Sequence, residues 1–529
     1  MNKKILIAGL LILIAVSACY KDKGNYDYKN VNDFKVTITP APTDKEFNIY
    51  VVNQPGIKAE TFKLTAEVTQ TVNTSEDNIE YTWYRTLKVD KKTISSDTIY
   101  GQENLMEIVA SKKTEWDILL VVRDKSMELE YYRSITVKTK IPFYNSWLFV
   151  HGKAGERKLG ALSWNTVGDA EVTPDIMEAM GQPGYPNMTG ITYTNCGAEN
   201  YQAWERLFII SAPDSVTYIY PFNSKVMGRY HQMGIANSQK VKDIITMKEG
   251  HSGAVGFINN AGKLFYTEKE AYLNAGIPRF TTIQSNVAEN YKVDLAYVDS
   301  EGTATMWDNT NKRLMCYYKK EKGLSYIGTL APQDLLDKEA LWLGRDAISV
   351  NGDNESMLFI AKNENNNKCY LYHISFGGKD GKMTKGDDGK EEESDEYGIV
   401  TCDSTHSWGF TKNTRFAVSD YYSDQIFFTE GGAIYRGIFA NGEKIKLYDT
   451  KGTIKQIAFR NTNTYNVPAY TINMRILGIL VTNADGTDEI HEIHISNGGD
   501  VEEKHVYDLG DVNVIDWDFT SVINDFERL

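Results

Sequence analysis

Between Ser146 and Ile495 one unit recurs: an apolar strand, a turn containing Gly, Asn or Asp, and a second strand carrying aromatic residues. It reads as Ser146–Val150 with Lys158–Trp164, Arg206–Ser211 with Thr217–Tyr220, Gly253–Ile258 with Lys263–Tyr266, and Leu295–Val298 with Arg313–Tyr318. It continues as Ser356–Ala361 with Cys369–Ile374, Gln425–Thr429 with Ala433–Ile438, and Met474–Val481 with Glu489–Ile495. Such a hairpin cannot bury both faces alone, so hairpins repeated at near-constant spacing must stack, radially or in line. Seven or eight units of roughly fifty residues match the period of four-stranded propeller blades. The expectation for residues 142–529 is a β-propeller of seven blades, with a stacked double sandwich as the alternative. Asp511–Phe519 has the pattern of a strand that closes the ring and removes its exposed edge. The best helix candidate, Ala331–Leu343, is short.

Residues 34–141 have a different texture. Short alternating runs at Phe34–Thr39, Phe47–Val51, Phe62–Val68, Ile79–Tyr84, Trp116–Val122 and Tyr131–Val137 are separated by polar turns. Roughly seven short strands in about a hundred residues is the pattern of an immunoglobulin-like sandwich, with Trp83 as its core tryptophan. Pro142 marks the boundary with the repeated region. The whole chain is therefore expected to be all-β, and 529 residues call for more than one core.

The N-terminus sets location. Lys3 and Lys4 precede an apolar run, Ile5–Val16, too short for a stop-transfer helix, and Ser17-Ala18 supply the small residues of a cleavage site. Residues 1–18 read as a signal peptide. Val16-Ser17-Ala18-Cys19 resembles the bacterial lipobox, which implies lipidation of Cys19 and a durable multi-chain anchor. Residues 19–33 are polar and without apolar period, and read as a tether.

A net charge of −14 disfavours nucleic acid or an anionic lipid surface as the main ligand. Apart from Cys19, the cysteines are Cys196, Cys316, Cys369 and Cys402, none at metal-ligand spacing; buried free thiols are preferred, with a Cys369–Cys402 bridge as the alternative. The acidic insert 377–398 lacks the frame of a calcium loop and reads as a solvated hairpin tip. No GxSxG, HExxH, P-loop or dinucleotide fingerprint occurs, so the expectation is a non-enzyme with no cofactor. His491 and His494 are three apart on a strand and point to opposite faces, so no metal site is assigned. The candidate ligand-binding residues are aromatics read as lying in loops: Tyr185, Trp204, Trp307 and Trp408, whose rings can stack on sugars or clamp peptide side chains. Their alternative role is packing between blades.

The run WDILLVVRD at 116–124 resembles the closing strands of PKD domains. With the lipobox, the CYKDKGNYDY segment at 19–28 and the long tyrosine-rich β region, the chain resembles the PKD-like family of surface lipoproteins from Bacteroidetes. That resemblance implies a non-catalytic accessory lipoprotein of the outer membrane, facing the cell exterior. It further implies a SusC/SusD-type importer as partner, with an oligopeptide or oligosaccharide as the captured ligand. A surface glycan- or peptide-degrading enzyme built on the propeller is the alternative.

Overall fold

The computed structural model describes residues 35–39, 46–50, 64–71, 76–89, 92–100, 115–140, 145–164, 170–180, 182–196, 204–212, 215–220, 225–229, 241–246, 255–267, 281–282, 284–285, 290–298, 304–318, 323–327, 335–346, 356–376, 384–385, 391–392, 397–403, 408–419, 421–460 and 474–520. Cys19 and the segments preceding residue 35 lie outside them. Among the described residues no helix is long and apolar enough to cross a membrane.

Seven strands form the N-terminal unit: β1 (Lys35–Thr39), β2 (Glu46–Tyr50), β3 (Thr65–Thr69), β4 (Ile79–Val89), β5 (Lys92–Tyr100), β6 (Glu115–Asp124) and β7 (Leu129–Lys140). β1 pairs with β3, and the other five form a sheet in the order β2-β7-β6-β4-β5, with β2 parallel to β7. Alternation decides which side is buried. Trp116, Ile118, Leu120 and Val122 of β6 point inward with Trp83 and Ile135, while the residues between them stay partly exposed.

The rest of the described chain forms seven sheets of four or five strands, the blades of a β-propeller. In sequence order a blade runs from its innermost to its outermost strand, as in blade 2: Met188–Cys196, Trp204–Ser211, Ser215–Tyr220, Lys225–Arg229. The first strands of blades 1 to 5 lie side by side in succession, as do those of blades 6 and 7. Blade 1 is the exception. Its outer three strands, Ser146–His151, Lys158–Trp164 and Ala170–Thr173, come from the start of the region, and its innermost strand is Val514–Thr520 from the far end. Val514–Thr520 pairs antiparallel with Ser146–His151, so Asp511–Phe519 holds all but the last residue of the closing strand.

Two details differ from the sequence reading. Ala331–Leu343 holds no helix among its described residues: Lys338–Arg345 is the innermost strand of blade 5, pairing with Ser356–Asn363. The partners Leu295–Val298 and Arg313–Tyr318 are separated by another strand, Ala304–Asp308, whose side chains are all buried and which pairs with both. As the preferred reading of the cysteines expects, Cys369 and Cys402 form no disulfide; Cys402 sits opposite Tyr372, not Cys369. Cys316 and Cys369 are buried thiols, Cys402 is exposed, and burial pushes the Cys369 thiol pKa up. Within the acidic insert, Thr384–Lys385 pairs with Glu391–Glu392.

Neighbouring blades are tied by a recurrent latch. A basic residue at the end of a blade's central turn reaches the backbone where the next blade begins: Arg157 donates to the Met188 carbonyl, Lys263 to Tyr291 O (2.8 Å) and Lys312 to Lys338 O (3.3 Å). Lys263 also lies 3.8 Å from the centre of the Tyr291 ring.

Candidate functional site

The four aromatic candidates have different fates. Trp307 lies on strand Ala304–Asp308, 1% exposed, stacked on Phe359 of blade 5 at 5.0 Å. Trp408 is 3% exposed; its indole N–H donates to Gly442 O at 3.0 Å, and its ring packs among Phe410, Phe428 and Phe439. A Cβ on Gly437 would come within 2.8 Å of that ring, so the glycine makes the fit possible. Both tryptophans pack between blades with their apolar area already buried, the alternative role named for them above. Trp204 begins a strand opposite Cys196, and its side chain lies outside the described residues. Tyr185 is half-buried against the core of blades 1 and 2, and that burial raises its phenol pKa while Arg229 opposes the shift. Of the four, it is the one placed at a surface by the described side chains.

The densest polar chemistry is at the seam where blade 7 meets blade 1. Glu492, fully buried on the third strand of blade 7 (Asp488–Ile495), accepts from the Trp147 indole N–H at 2.7 Å. Arg460 grips the same carboxylate with two bonds of 2.7 and 2.6 Å. The guanidinium lies 3.8 Å from the Trp164 ring centre, and Trp147 stacks on Trp517 of the closing strand at 4.3 Å. Trp147 can lie flat because Gly478 has no side chain; a Cβ there would approach the indole to 2.2 Å. Tyr507 completes this face, its phenol pKa pushed up to about 12 by burial first and by the charge of Glu492 second.

Alternation places Glu492 and His494 on one face of their strand, and the antiparallel register puts them opposite His505 and Glu503 of the outermost strand, Val501–Asp508. His494 Nδ1 is 3.4 Å from Glu503 Oε2, and His505 Nε2 is 3.0 Å from Glu503 Oε1. One donor atom from each of the three residues lies within 4.8 Å of the others. His491 turns to the opposite face, between Tyr448 Oη and Glu489 Oε2, both at 2.9 Å. His491 and His494 therefore face opposite ways, as alternation along a strand requires. His494 does not join His491, but it does meet a second histidine eleven positions on. The missed signal is Glu503-Lys504-His505, whose alternate residues fall beside His494 once the turn at Ser496–Asp500 is placed.

Among known proteins, residues 19–183 match the PKD-like family, a stretch that contains the whole sandwich and runs into blade 1. No curated protein matches the chain. Among solved structures, the chain is similar to a quinonprotein alcohol dehydrogenase-like protein from Bacteroides thetaiotaomicron, at 10% identity over 90% of this chain and 96% of that one, TM-score 0.39. It is also similar to the β-propeller domain of Myceliophteria thermophila Cps50 (Swd1), at 8% identity over 67% and 97%, TM-score 0.40. For Saccharomyces cerevisiae Sqt1 the values are 9% identity over 71% and 89%, TM-score 0.39. Likenesses this weak bring no ligand or activity to the chain; the propeller assignment rests on its own strand order.

Proposed function

We propose that this protein is a non-catalytic, lipid-anchored accessory subunit of a SusC/SusD-type outer-membrane importer, holding an oligopeptide or oligosaccharide at the cell exterior. One observation carries the reading: the PKD-like match begins at Cys19, the same residue that the Val16-Ser17-Ala18-Cys19 sequence makes the first of a lipidated mature chain. In this reading the tether and sandwich are the spacer above the membrane, and the propeller supplies the interaction surface. Tyr185 is the ligand-stacking candidate among the described side chains.

The test is a pull-down from detergent-solubilised outer membrane through a C-terminal tag, with mass spectrometry of what accompanies the chain. Co-recovery of an importer pair, lost on Cys19→Ser together with radiolabelled acyl incorporation, supports the reading. Recovery of the chain alone, under conditions that keep importer complexes intact, overturns it. Turnover of a glycan or peptide by the purified chain would instead establish the surface-enzyme alternative.

A further inference from the structure

We propose that His494, Glu503 and His505 bind one divalent metal ion of the zinc class at the outer edge of blade 7, on the side that faces blade 1. The three residues come from two paired strands, so the site is fixed by sheet register, not by loop conformation. Their chemistry selects the ion. Two imidazoles and one carboxylate suit zinc and its d-block neighbours, whereas calcium and magnesium take oxygen ligands. The three side chains are near one another: one ligand atom from each lies within 4.8 Å of the others, with His494 Nδ1 3.4 Å from Glu503 Oε2 and His505 Nε2 3.0 Å from Glu503 Oε1. Metal bonds of about 2.0–2.1 Å in a tetrahedral set place ligand atoms roughly 3.3 Å apart, so a bound ion would draw the three together. Three protein ligands leave the fourth position to water.

The surroundings orient these ligands. His505 stacks at 18° on Tyr507, and Glu492, its partner in register, is held by Arg460, so that guanidinium is already committed to another carboxylate. The His494 side chain is 26% exposed, so the group opens to solvent on one side. The site lies beside the contacts that join blade 7 to blade 1, so an ion bound there would pin the outermost strand next to the ring closure.

The test is calorimetric titration of zinc into the full-length chain, purified in detergent through a tag free of histidine, with cobalt as a spectroscopic substitute. The expected result is one ion per chain, a visible cobalt band of a four-coordinate site, and a zinc-dependent rise in melting temperature. His494→Ala and, separately, Glu503→Gln should each weaken binding by about tenfold or more, while Lys504→Ala, on the opposite face of the same strand, should not. Circular dichroism of each variant confirms folding; because the three side chains are partly exposed, all should match the parent. Absence of saturable binding by the parent chain overturns the proposal. So does binding of equal strength by His494→Ala, which would point to another donor such as the exposed Cys402.

Discussion

The seam between blades 4 and 5 and the join of blades 7 and 1 solve the same packing problem in different ways. Between blades 4 and 5 the contact is apolar throughout its cluster, with Trp307 stacked on Phe359 among Leu314, Leu343, Met357 and Ile374. At the join, apolar packing of Trp147, Phe149, Leu480 and Phe519 surrounds a buried ion pair and an indole hydrogen bond. A short stretch of chain already places blade 5 beside blade 4, so non-directional burial and the Lys312 latch to the Lys338 carbonyl are enough there. The two halves of blade 1 have no such link. A buried ion pair is a weak stabiliser, but removing one partner leaves the other's charge uncompensated. Arg460 and Glu492 both belong to blade 7, and the Trp147 indole bond to that carboxylate is the directional contact that carries register across to blade 1.

Four experiments break or sharpen this contrast. The largest effect should come from deleting residues 511–529, which removes the innermost strand of blade 1 and bares the edge of Ser146–His151. The expected outcome is loss of the propeller's cooperative thermal transition in calorimetry, with the sandwich transition retained.

Next, Glu492→Gln should destabilise the propeller by roughly 3–5 kcal/mol, because Arg460 is left buried without its counter-charge, whereas the double replacement Glu492→Leu with Arg460→Met should recover most of the loss. Denaturant titration of the three chains checks this. If the double variant is as unstable as the single one, the pair is a stabiliser and not a register device.

A smaller effect is expected from Gly478→Ala, at about 2 kcal/mol from overpacking against Trp147. The matched change Gly437→Ala, against Trp408, should cost about 1 kcal/mol, since its Cβ would sit at 2.8 Å rather than 2.2 Å. Chemical denaturation again reads the difference.

The smallest effect concerns Tyr422, between blades 6 and 7, whose hydroxyl donates to Ile495 O at 2.7 Å and whose pKa is raised well above 10.0, chiefly by burial. Above about pH 10 the unfolded chain loses this phenol proton while the folded chain keeps it, so stability is full below that pH and declines as pH rises. Tyr422→Phe should be less stable at neutral pH yet show a shallower decline between pH 10 and 11, as read from melting curves.

Much of this fold is legible in the sequence, for a physical reason. The central two strands of a blade are buried and joined by tight turns, so Gln425–Glu430 with Ala433–Ile438, or Ile476–Thr482 with Asp488–Ile495, announce themselves as hairpins. The innermost strands do not. Met188–Cys196 is rich in threonine, and part of its exposed edge is capped by side chains from the closing strand: Asp516 accepts from Ile191 N and Asp518 from Tyr193 N. Lys338–Arg345 mixes charge with Leu341, Trp342 and Leu343 closely enough to pass for a helix. Trp307 and Trp408 look like loop aromatics because Asp308-Asn309 and Thr405-His406-Ser407 flank them, and only tertiary packing shows them filled in. The His494, Glu503 and His505 group was illegible for another reason: it exists only through cross-strand register, and a bulge between His494 and Ile495 shifts that register.

The hydrogen bond from Ser146 N to Thr520 spans 374 positions of sequence, which makes the fold a matter of timing. At roughly 5–20 residues per second of synthesis, the partner of Ser146 leaves the ribosome about 20–75 s after it. Throughout that interval the first blade is three strands wide and shows an open edge of the kind that recruits other chains. The sandwich suffers no such delay, since β7 is complete before the first blade begins. A prematurely terminated product could therefore carry a finished sandwich and six finished blades or fewer, and still have no closed ring. The closing strand thus acts as proof of length: only a chain translated through residue 520 can put Trp517 beneath Trp147.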